Sequence, residues 1–302
     1  MRLPKARRYP SLEFMQSTFR PPFESFVAPA RAHADIWKLL AGLCLIILIY
    51  GVWTFGVFWS ARALFPDLNL TGKTPASTFL FLGTFIGMAL GPVVAARVFH
   101  KRGAATLMGR SAWVIHDFCV AVVVVGVIFA VSLALWTLWY DAVPNLDFIG
   151  WMTLLPLALV GLLIQTGAEE LVFRGYLQQQ LAARFGSPLV WMLIPSVLFG
   201  ALHYDPITMG ANLWFIVAAT GLFGLAAADI TAKTGSIGAA WGFHFANNVA
   251  ALLVVSLDGP MTGLALFVTP YGADAAIMRY LIVIDMATVL VAWAILRRIL
   301  QR

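Results

Sequence analysis

The chain has 302 residues, of which 61% are hydrophobic and only 11% are charged. A soluble domain carries about 25% charged residues, so this composition excludes an ordinary water-soluble protein. The apolar residues lie in runs of about twenty, the length that an α-helix needs to cross a bilayer. Backbone in lipid must satisfy its own hydrogen bonds, and runs this long favour helices over the strands of a barrel. We therefore expect an all-α polytopic membrane protein.

Residues 1–35 are basic and rich in proline. The basic residues of this segment are Arg2, Lys5, Arg7, Arg8, Arg20 and Arg31. No apolar stretch at the start has the character of a signal-peptide core, so cleavage of a signal peptide is not expected. We expect a basic, disordered tail on the cytoplasmic side that sets topology and contacts anionic lipid. Binding of nucleic acid is not expected.

Residues 36–302 are expected to form one membrane domain of eight transmembrane helices. The expected helices are 36–60, 76–98, 112–140, 149–170, 188–204, 212–232, 236–257 and 278–298. The fourth helix is expected to continue to about residue 182.

Charged residues between these helices predict the orientation of the chain. Basic residues mark the second connection and the C-terminus as cytoplasmic; they are Arg97, Lys101, Arg102, Arg110, Arg297, Arg298 and Arg302. Asp141 and Asp147 mark the third connection as external. An even number of helices then places both termini in the cytoplasm, and we expect the protein in a bacterial inner membrane.

The fourth helix carries charges that need an explanation, because an ionised side chain at the bilayer centre costs a few kcal/mol. The stretch "GAEELVFRGYL" contains Glu169, Glu170 and Arg174. Glu170 and Arg174 are four residues apart, a spacing that favours an ion pair on one helix face. Glu169 points about 100° away round the helix, so it can face a cavity while Glu170 holds the arginine.

The turn "RFGSP", residues 184–188, joins the fourth helix to the fifth. Glu169 lies about as far before this turn as His203 lies after it. In an antiparallel helix pair the two side chains therefore reach a similar depth.

Two further motifs place polar side chains one helical turn apart. "FGALH" puts Phe199 and His203 on one face, and "HFANN" does the same for His244 and Asn248. Each pattern alone is more often structural: an ion pair, a satisfied buried histidine, or an asparagine that binds a neighbouring helix. Their occurrence together inside apolar helices favours a functional site.

These side chains can carry out amide hydrolysis in two ways. A carboxylate beside a histidine can take a proton from water that attacks a carbonyl group. A second histidine and an asparagine can then donate to the oxyanion. Alternatively, two histidines and a glutamate can bind zinc. The zinc motif HExxH is absent, and neither a GxSG serine motif nor a GxGD aspartyl motif is present.

The order and spacing of the motifs resemble those of the CPBP family, which comprises CAAX-processing and bacteriocin-processing intramembrane proteases. This family is also called Abi and is related to the Rce-type prenyl protease. The resemblance rests on three motifs: Glu169-Glu170-x-x-x-Arg174, Phe199-x-x-x-His203 and His244-x-x-x-Asn248. It covers about residues 149–255, the core of the membrane domain. It implies an intramembrane endopeptidase acting on a membrane-associated substrate, such as a prenylated protein or a leader peptide.

The resemblance also implies roles for individual residues. Glu169 would activate water together with His203, while His244 and Asn248 would line the oxyanion site.

Three further residues would support this set. Glu170 and Arg174 would hold the helix and its charge in place, and Phe199 would pack beneath His203.

Members of this family have been discussed both as metalloproteases and as metal-free glutamate proteases. We favour catalysis without a cofactor, because the Glu–His–His–Asn set suffices for it. The alternative is zinc bound by Glu169, His203 and His244.

Two other functions are compatible with the sequence. A proton-coupled transporter could use Asp117, Asp285 and the glutamates, although the paired broken helices of transporter repeats are not seen. A non-catalytic membrane partner protein could share the same fold, because a fold does not determine a function. The expected partners of the protease are a peptide or membrane-protein substrate and the lipid bilayer.

Overall fold

A computed structural model describes residues 20–301 of the chain. In chain order its helices are α1 (Pro21–Val27), α2 (Ile36–Leu64), α3 (Pro75–His100), α4 (Ala105–Met108), α5 (Ser111–Trp136), α6 (Phe148–Arg184), α7 (Leu189–Ala201), α8 (Pro206–Met209), α9 (Leu213–Thr234), α10 (Gly238–Val249) and α11 (Met278–Ile299). Short 3₁₀ helices span Ala28–His33 and Gly210–Asn212, and π-helical turns span Leu171–Gln178, Leu189–Leu193 and Ala250–Val254.

The predicted fold class, an all-α polytopic membrane protein, is confirmed. Six helices of the described residues are long and apolar enough to cross a membrane: Ile36–Leu64, Pro75–His100, Ser111–Trp136, Phe148–Arg184, Pro206–Thr234 and Met278–Ile299. At the positions of the predicted fifth and seventh helices, α7 and α10 are shorter. The chain after α7 begins the new helix α8, and the chain after α10 becomes a strand. Among the described residues six helices thus reach full spanning length, and the predicted count of eight is not confirmed.

The connections between helices gather at two opposite ends of the bundle. At one end, the segment between α10 and α11 bonds to the earlier connections: the amide of Gly263 donates to the carbonyl of Gly72, and the amide of Asn145 donates to the carbonyl of Leu266. At the other end, the amide of Ile237 donates to the carbonyl of Met108. The helices thus alternate in direction between the two ends.

A small sheet covers the end where the α10–α11 segment lies. Its strands are β1 (Val143–Pro144), β2 (Val255–Asp258) and β3 (Phe267–Gly272), in the order β1-β3-β2. Strand β3 pairs antiparallel with β1 and parallel with β2. The sequence analysis did not predict this sheet, because its strands are short and lie in loops.

The expectation of a disordered tail over residues 1–35 needs correction for residues 20–35. Here α1 and the 3₁₀ helix Ala28–His33 are folded against the bundle. Phe23 and Phe26 are buried, and the Phe23 ring lies 4.8 Å from the ring of Trp191. Spacing of three puts the two phenylalanines on one helix face, so a short amphipathic helix forms among the basic residues. Residues 1–19 lie outside the described residues.

The long helix α6 is anchored to α2 and α3 through Tyr176. Its hydroxyl lies 2.8 Å from Nε2 of His100, and Nδ1 of His100 lies 2.9 Å from the carbonyl oxygen of His33. Gly42 of α2 leaves room for this hydroxyl, since a Cβ at position 42 would stand 1.7 Å from it. The first helices therefore support α6 through a close approach that needs a glycine.

We expect Gly42→Ala to lower stability by about 1–3 kcal/mol, because Tyr176 must move and its bond to His100 is lost. Thermal unfolding in detergent measures the effect. Gly51→Ala is the matched control on the same helix, because nothing lies within 4 Å of a Cβ at position 51. Equal stability of the two variants would contradict the proposed packing.

Candidate active site

The candidate site is built on α6, where the helix changes its winding. Glu169 and Glu170 end its regular α-helical part, and Leu171–Gln178 form wider π-helical turns. Such turns inside an α-helix occur frequently at functional sites. The change places the two glutamates where α6 meets α7, α9 and α10.

Glu170 is fully buried and holds two partners at once. Its Oε1 atom lies 2.9 Å from Nη1 of Arg174 and 2.9 Å from Nδ1 of His244. Nη2 of Arg174 donates to the carbonyl oxygen of Gly224 on α9 at 3.0 Å. The predicted ion pair therefore exists, and it connects α6 to α9 and α10.

Aromatic rings enclose the arginine of this pair. The Arg174 guanidinium lies 5.0 Å from the ring centre of Phe199 and 5.9 Å from those of Phe173 and Phe223. The faces of aromatic rings attract cations, most strongly where water is excluded. The rings thus help to stabilise a buried charge in an apolar interior.

Glu169 points away from this pair, as its position on the helix predicts. Its Oε1 atom accepts from Nε2 of Gln165 at 2.8 Å, and Oε1 of Gln165 accepts from Nδ2 of Asn248 at 2.8 Å. Its Oε2 atom is buried and has no hydrogen-bond partner among residues 20–301. That oxygen lies 3.5 Å from Nε2 of His244. One oxygen of Glu169 is therefore fixed, and the other is free to accept a proton.

A cavity of about 140 Å³ lies beside Glu169. Its walls come from α6, α7, α9, α10, α11 and the residues after α7; they are Gln165, Glu169, Phe199, His203, Ala219, Thr220, Phe223, His244, Asn247, Asn248, Asp285 and Val289. Each of the three sequence motifs thus contributes to one cavity. Glu170 and Arg174 lie behind its wall.

His203 follows the end of α7 and is oriented by the backbone of that helix. Its Nδ1 lies 2.8 Å from the carbonyl oxygen of Phe199, and since a carbonyl only accepts, Nδ1 carries the proton. The Phe199 ring packs 5.0 Å from the imidazole ring of His203. The expected packing of Phe199 against His203 is present, and Nε2 of His203 is left for the cavity.

The structure differs from the sequence analysis in which histidine stands next to Glu169. The resemblance implied a pair of Glu169 with His203, whereas the histidine in contact with both glutamates is His244. The reason is that α10 crosses directly against the part of α6 that carries the glutamates. Glu170 fixes one nitrogen of His244, so the other nitrogen faces Glu169.

The sequence analysis did not place four polar residues in the cavity: Gln165, Thr220, Asn247 and Asp285. Gln165 lies one helical turn before Glu169, so helical periodicity alone could have placed it beside the glutamate. Thr220 carried no signal in the sequence. Asp285 was noted as an isolated charge, and only the packing of α11 brings it to the cavity.

The zinc alternative requires that three ligand side chains lie within reach of one metal ion. Among residues 20–301, no three His, Cys, Asp or Glu side chains stand together as a metal ion requires. Glu169, His203 and His244 line one cavity, but they do not form a ligand set in this arrangement. We therefore derive no catalytic step through a metal.

Arg174→Ala is expected to lower stability by about 3–5 kcal/mol, because it leaves the buried carboxylate of Glu170 without its cation. The double change Glu170→Gln and Arg174→Gln removes both charges, so it should be more stable than Arg174→Ala. Thermal unfolding in detergent measures both.

The matched control for this prediction is Arg297→Ala. Arg297 pairs with Asp229 at 2.9 Å, but its side chain is 40% exposed. An exposed pair contributes about 0–1 kcal/mol. A double mutant no more stable than Arg174→Ala would show that the two charges do not depend on each other.

Comparison with known proteins finds a family model and a curated relative that are each similar to part of this chain. Residues 150–250 match the family model described as "Type II CAAX prenyl endopeptidase Rce1-like". The chain is also 38% identical over 111 residues to the uncharacterized protein YyaK of Bacillus subtilis (strain 168). That similarity covers 36% of this chain and 37% of the Bacillus protein.

The matched region contains α10 and most of α6, which carry the glutamates, His244 and Asn248, together with all of α7. At the level of the family it supports an intramembrane CAAX-type protease. The resemblance that the motifs indicated is thus confirmed over residues 150–250, which are similar to the Rce1-like CAAX prenyl endopeptidase family model.

Proposed function

We propose that this protein is an intramembrane endopeptidase in which Glu169 activates a water molecule for attack on a peptide bond. One observation carries this proposal: Oε2 of Glu169 is buried, has no hydrogen-bond partner among residues 20–301, and faces Nε2 of His244 at 3.5 Å. Oε2 of Glu170 also lacks a partner among the described residues, but of the two glutamates only Glu169 lines the cavity. A buried carboxylate oxygen without a partner is costly, and at a cavity wall it needs an explanation. Binding of a reacting water explains it.

The protonation of His244 determines what its second nitrogen can do. The Glu170 carboxylate only accepts, so Nδ1 of His244 carries a proton. In the neutral imidazole, Nε2 is then an acceptor. A water in the cavity can donate one hydrogen to Glu169 and the other to His244, which turns its oxygen lone pairs toward a substrate carbonyl group.

Attack by this water transfers its proton to Glu169, which acts as general base. The same carboxyl group can then pass the proton to the amine that leaves. Gln165 holds the other oxygen of Glu169, so the carboxylate keeps one orientation through both transfers.

Glu170 and Arg174 act as positioning residues for His244. The carboxylate of Glu170 fixes the ring and its tautomer, as a buried acid does for the histidine of a serine protease. Arg174 neutralises that carboxylate and fixes it in turn.

The oxyanion of the tetrahedral intermediate needs donors on the opposite side of the carbonyl group. Asn248 uses one amide hydrogen to bind Gln165, and Asn247 uses one to bind Asn248. Each amide keeps a second hydrogen for the cavity. We assign oxyanion stabilisation to these amides, with His203 on the facing wall offering Nε2 as a proton acceptor.

The proposed substrate is a peptide bond held at the membrane, in a prenylated protein, a leader peptide or another membrane protein. A cavity enclosed by membrane helices is reached by a segment that the bilayer already holds. We further propose that the end of the bundle with Arg97, Lys101, Arg102 and Arg110 faces the cytoplasm of a bacterial cell, since basic residues accumulate on that side.

A non-catalytic partner protein on this fold has no need of an unpartnered carboxylate oxygen beside a cavity that His203 and His244 also line. Such an oxygen lowers the stability of the folded protein unless a ligand or a reacting water binds to it. This cost favours the enzyme over the partner protein.

Glu169→Gln is expected to lower kcat by a factor of about 10²–10⁴, because the amide cannot accept a proton from water. Cleavage of a peptide library by the purified protein in detergent measures this. Thermal unfolding should change by less than about 1 kcal/mol, since the amide keeps the shape of the side chain.

Glu24→Gln is the matched control for the loss of a carboxylate. Glu24 binds Arg31 in a half-buried pair of the helical N-terminal segment, and it does not line the cavity. It should leave cleavage unchanged. Turnover by Glu169→Gln at the wild-type rate would end the assignment of Glu169 as the base.

We also expect cleavage to persist after treatment with a chelator, because the residues around Glu169 suffice for general-base catalysis. Metal analysis of the purified protein, with cleavage measured before and after chelation, tests this. Stoichiometric zinc whose removal abolishes cleavage, and whose return restores it, would overturn the metal-free mechanism.

A further inference from the structure

Asp285 is a carboxylate of the cavity that the proposed mechanism does not use. It lies seven residues into α11, with Val283 and Ile284 before it, and it lines the same cavity as Glu169 and His244. It has no hydrogen bond or ion pair with any of residues 20–301. Its side chain is exposed, so a molecule in the cavity can reach it.

The charges around the cavity leave Asp285 without a counter-ion. The titratable residues of its walls are Glu169, His203, His244 and Asp285, and the walls contain no lysine or arginine. The guanidinium of Arg174 lies behind Phe199 and is already bound by Glu170 and Gly224. The histidines are held by other acceptors, His203 by the carbonyl of Phe199 and His244 by Glu170.

An ionised carboxylate inside a membrane helix is costly unless a cation or several donors bind it. The described residues supply neither to Asp285. A positive group on the substrate would meet this need, whereas a neutral group would leave the carboxylate desolvated and unpaired. Both effects select the charged substrate over the neutral one.

We propose that Asp285 is a specificity residue that binds a basic side chain, lysine or arginine, of the peptide in this cavity. This inference rests on the proposed function, because it concerns the substrate of the same site. It specifies that the peptide substrate of the proposed reaction carries a positive charge.

The test uses pairs of peptides that differ in one residue, lysine or norleucine, placed at each position in turn. Norleucine keeps the four-carbon stem of lysine and lacks the charge. For the preferred position we expect kcat/KM of the wild-type protein to be about tenfold higher for the lysine peptide. Asp285→Asn should reduce this ratio to about one, because the amide keeps the size of the side chain without its charge.

A ratio measured on one preparation does not depend on the fraction of folded enzyme, so a merely structural role of Asp285 cannot change it. Asp258→Asn is the matched control: Asp258 is exposed on β2 and does not line the cavity. It should leave the ratio as in the wild type.

Binding separates this inference from the proposed function. Fluorescence anisotropy with labelled lysine and norleucine peptides is measured on Glu169→Gln, with and without Asp285→Asn. In one outcome the wild type cleaves neither peptide, yet the lysine peptide binds more tightly and Asp285→Asn removes this difference. That result would refute the protease and support the role of Asp285. Equal cleavage or equal binding of both peptides, or a preference that survives in Asp285→Asn, would overturn the role of Asp285 alone.

Discussion

The site depends on one constraint: a carboxylate buried in an apolar helix bundle must be paired. Glu170 meets it by binding Arg174 of its own helix and His244 of α10, while Arg174 also binds the backbone of α9. Removing any partner leaves a charge or a donor in a medium that cannot solvate it. These contacts therefore fix three helices relative to one another, and with them the position of the His244 ring.

Adjacent glutamates serve opposite purposes because successive residues of a helix face different directions. Glu170 faces the protein interior, where its charge binds Arg174 and His244. Glu169 faces the cavity, where Gln165 holds one of its oxygens and the other has no partner among the described residues. The two adjacent carboxylates therefore differ in their surroundings: Arg174 and His244 hold Glu170, whereas a cavity lies beside Glu169.

The helices that precede residue 150 support this arrangement without lining the cavity. Tyr176 ties α6 to α3 through His100, and Gly42 lets α2 come close enough to cover that contact. The N-terminal helix α1 packs on Trp191 beside the start of α7. The region that matches the family model is thus held by segments whose sequences show no motif of that family.

The sequence by itself determined the membrane class, the positions of the helices and the residues of the motifs. Apolar runs of about twenty residues predict membrane helices wherever they occur, and spacing of four predicts that Glu170 meets Arg174. Only the tertiary structure decided that His244 rather than His203 stands against Glu169, and that Asp285 shares their cavity. Helical periodicity tells which residues of one helix share a face, whereas contacts between helices depend on crossing angles and relative heights. Those angles and heights follow from side-chain packing along whole helices, which a short motif does not contain.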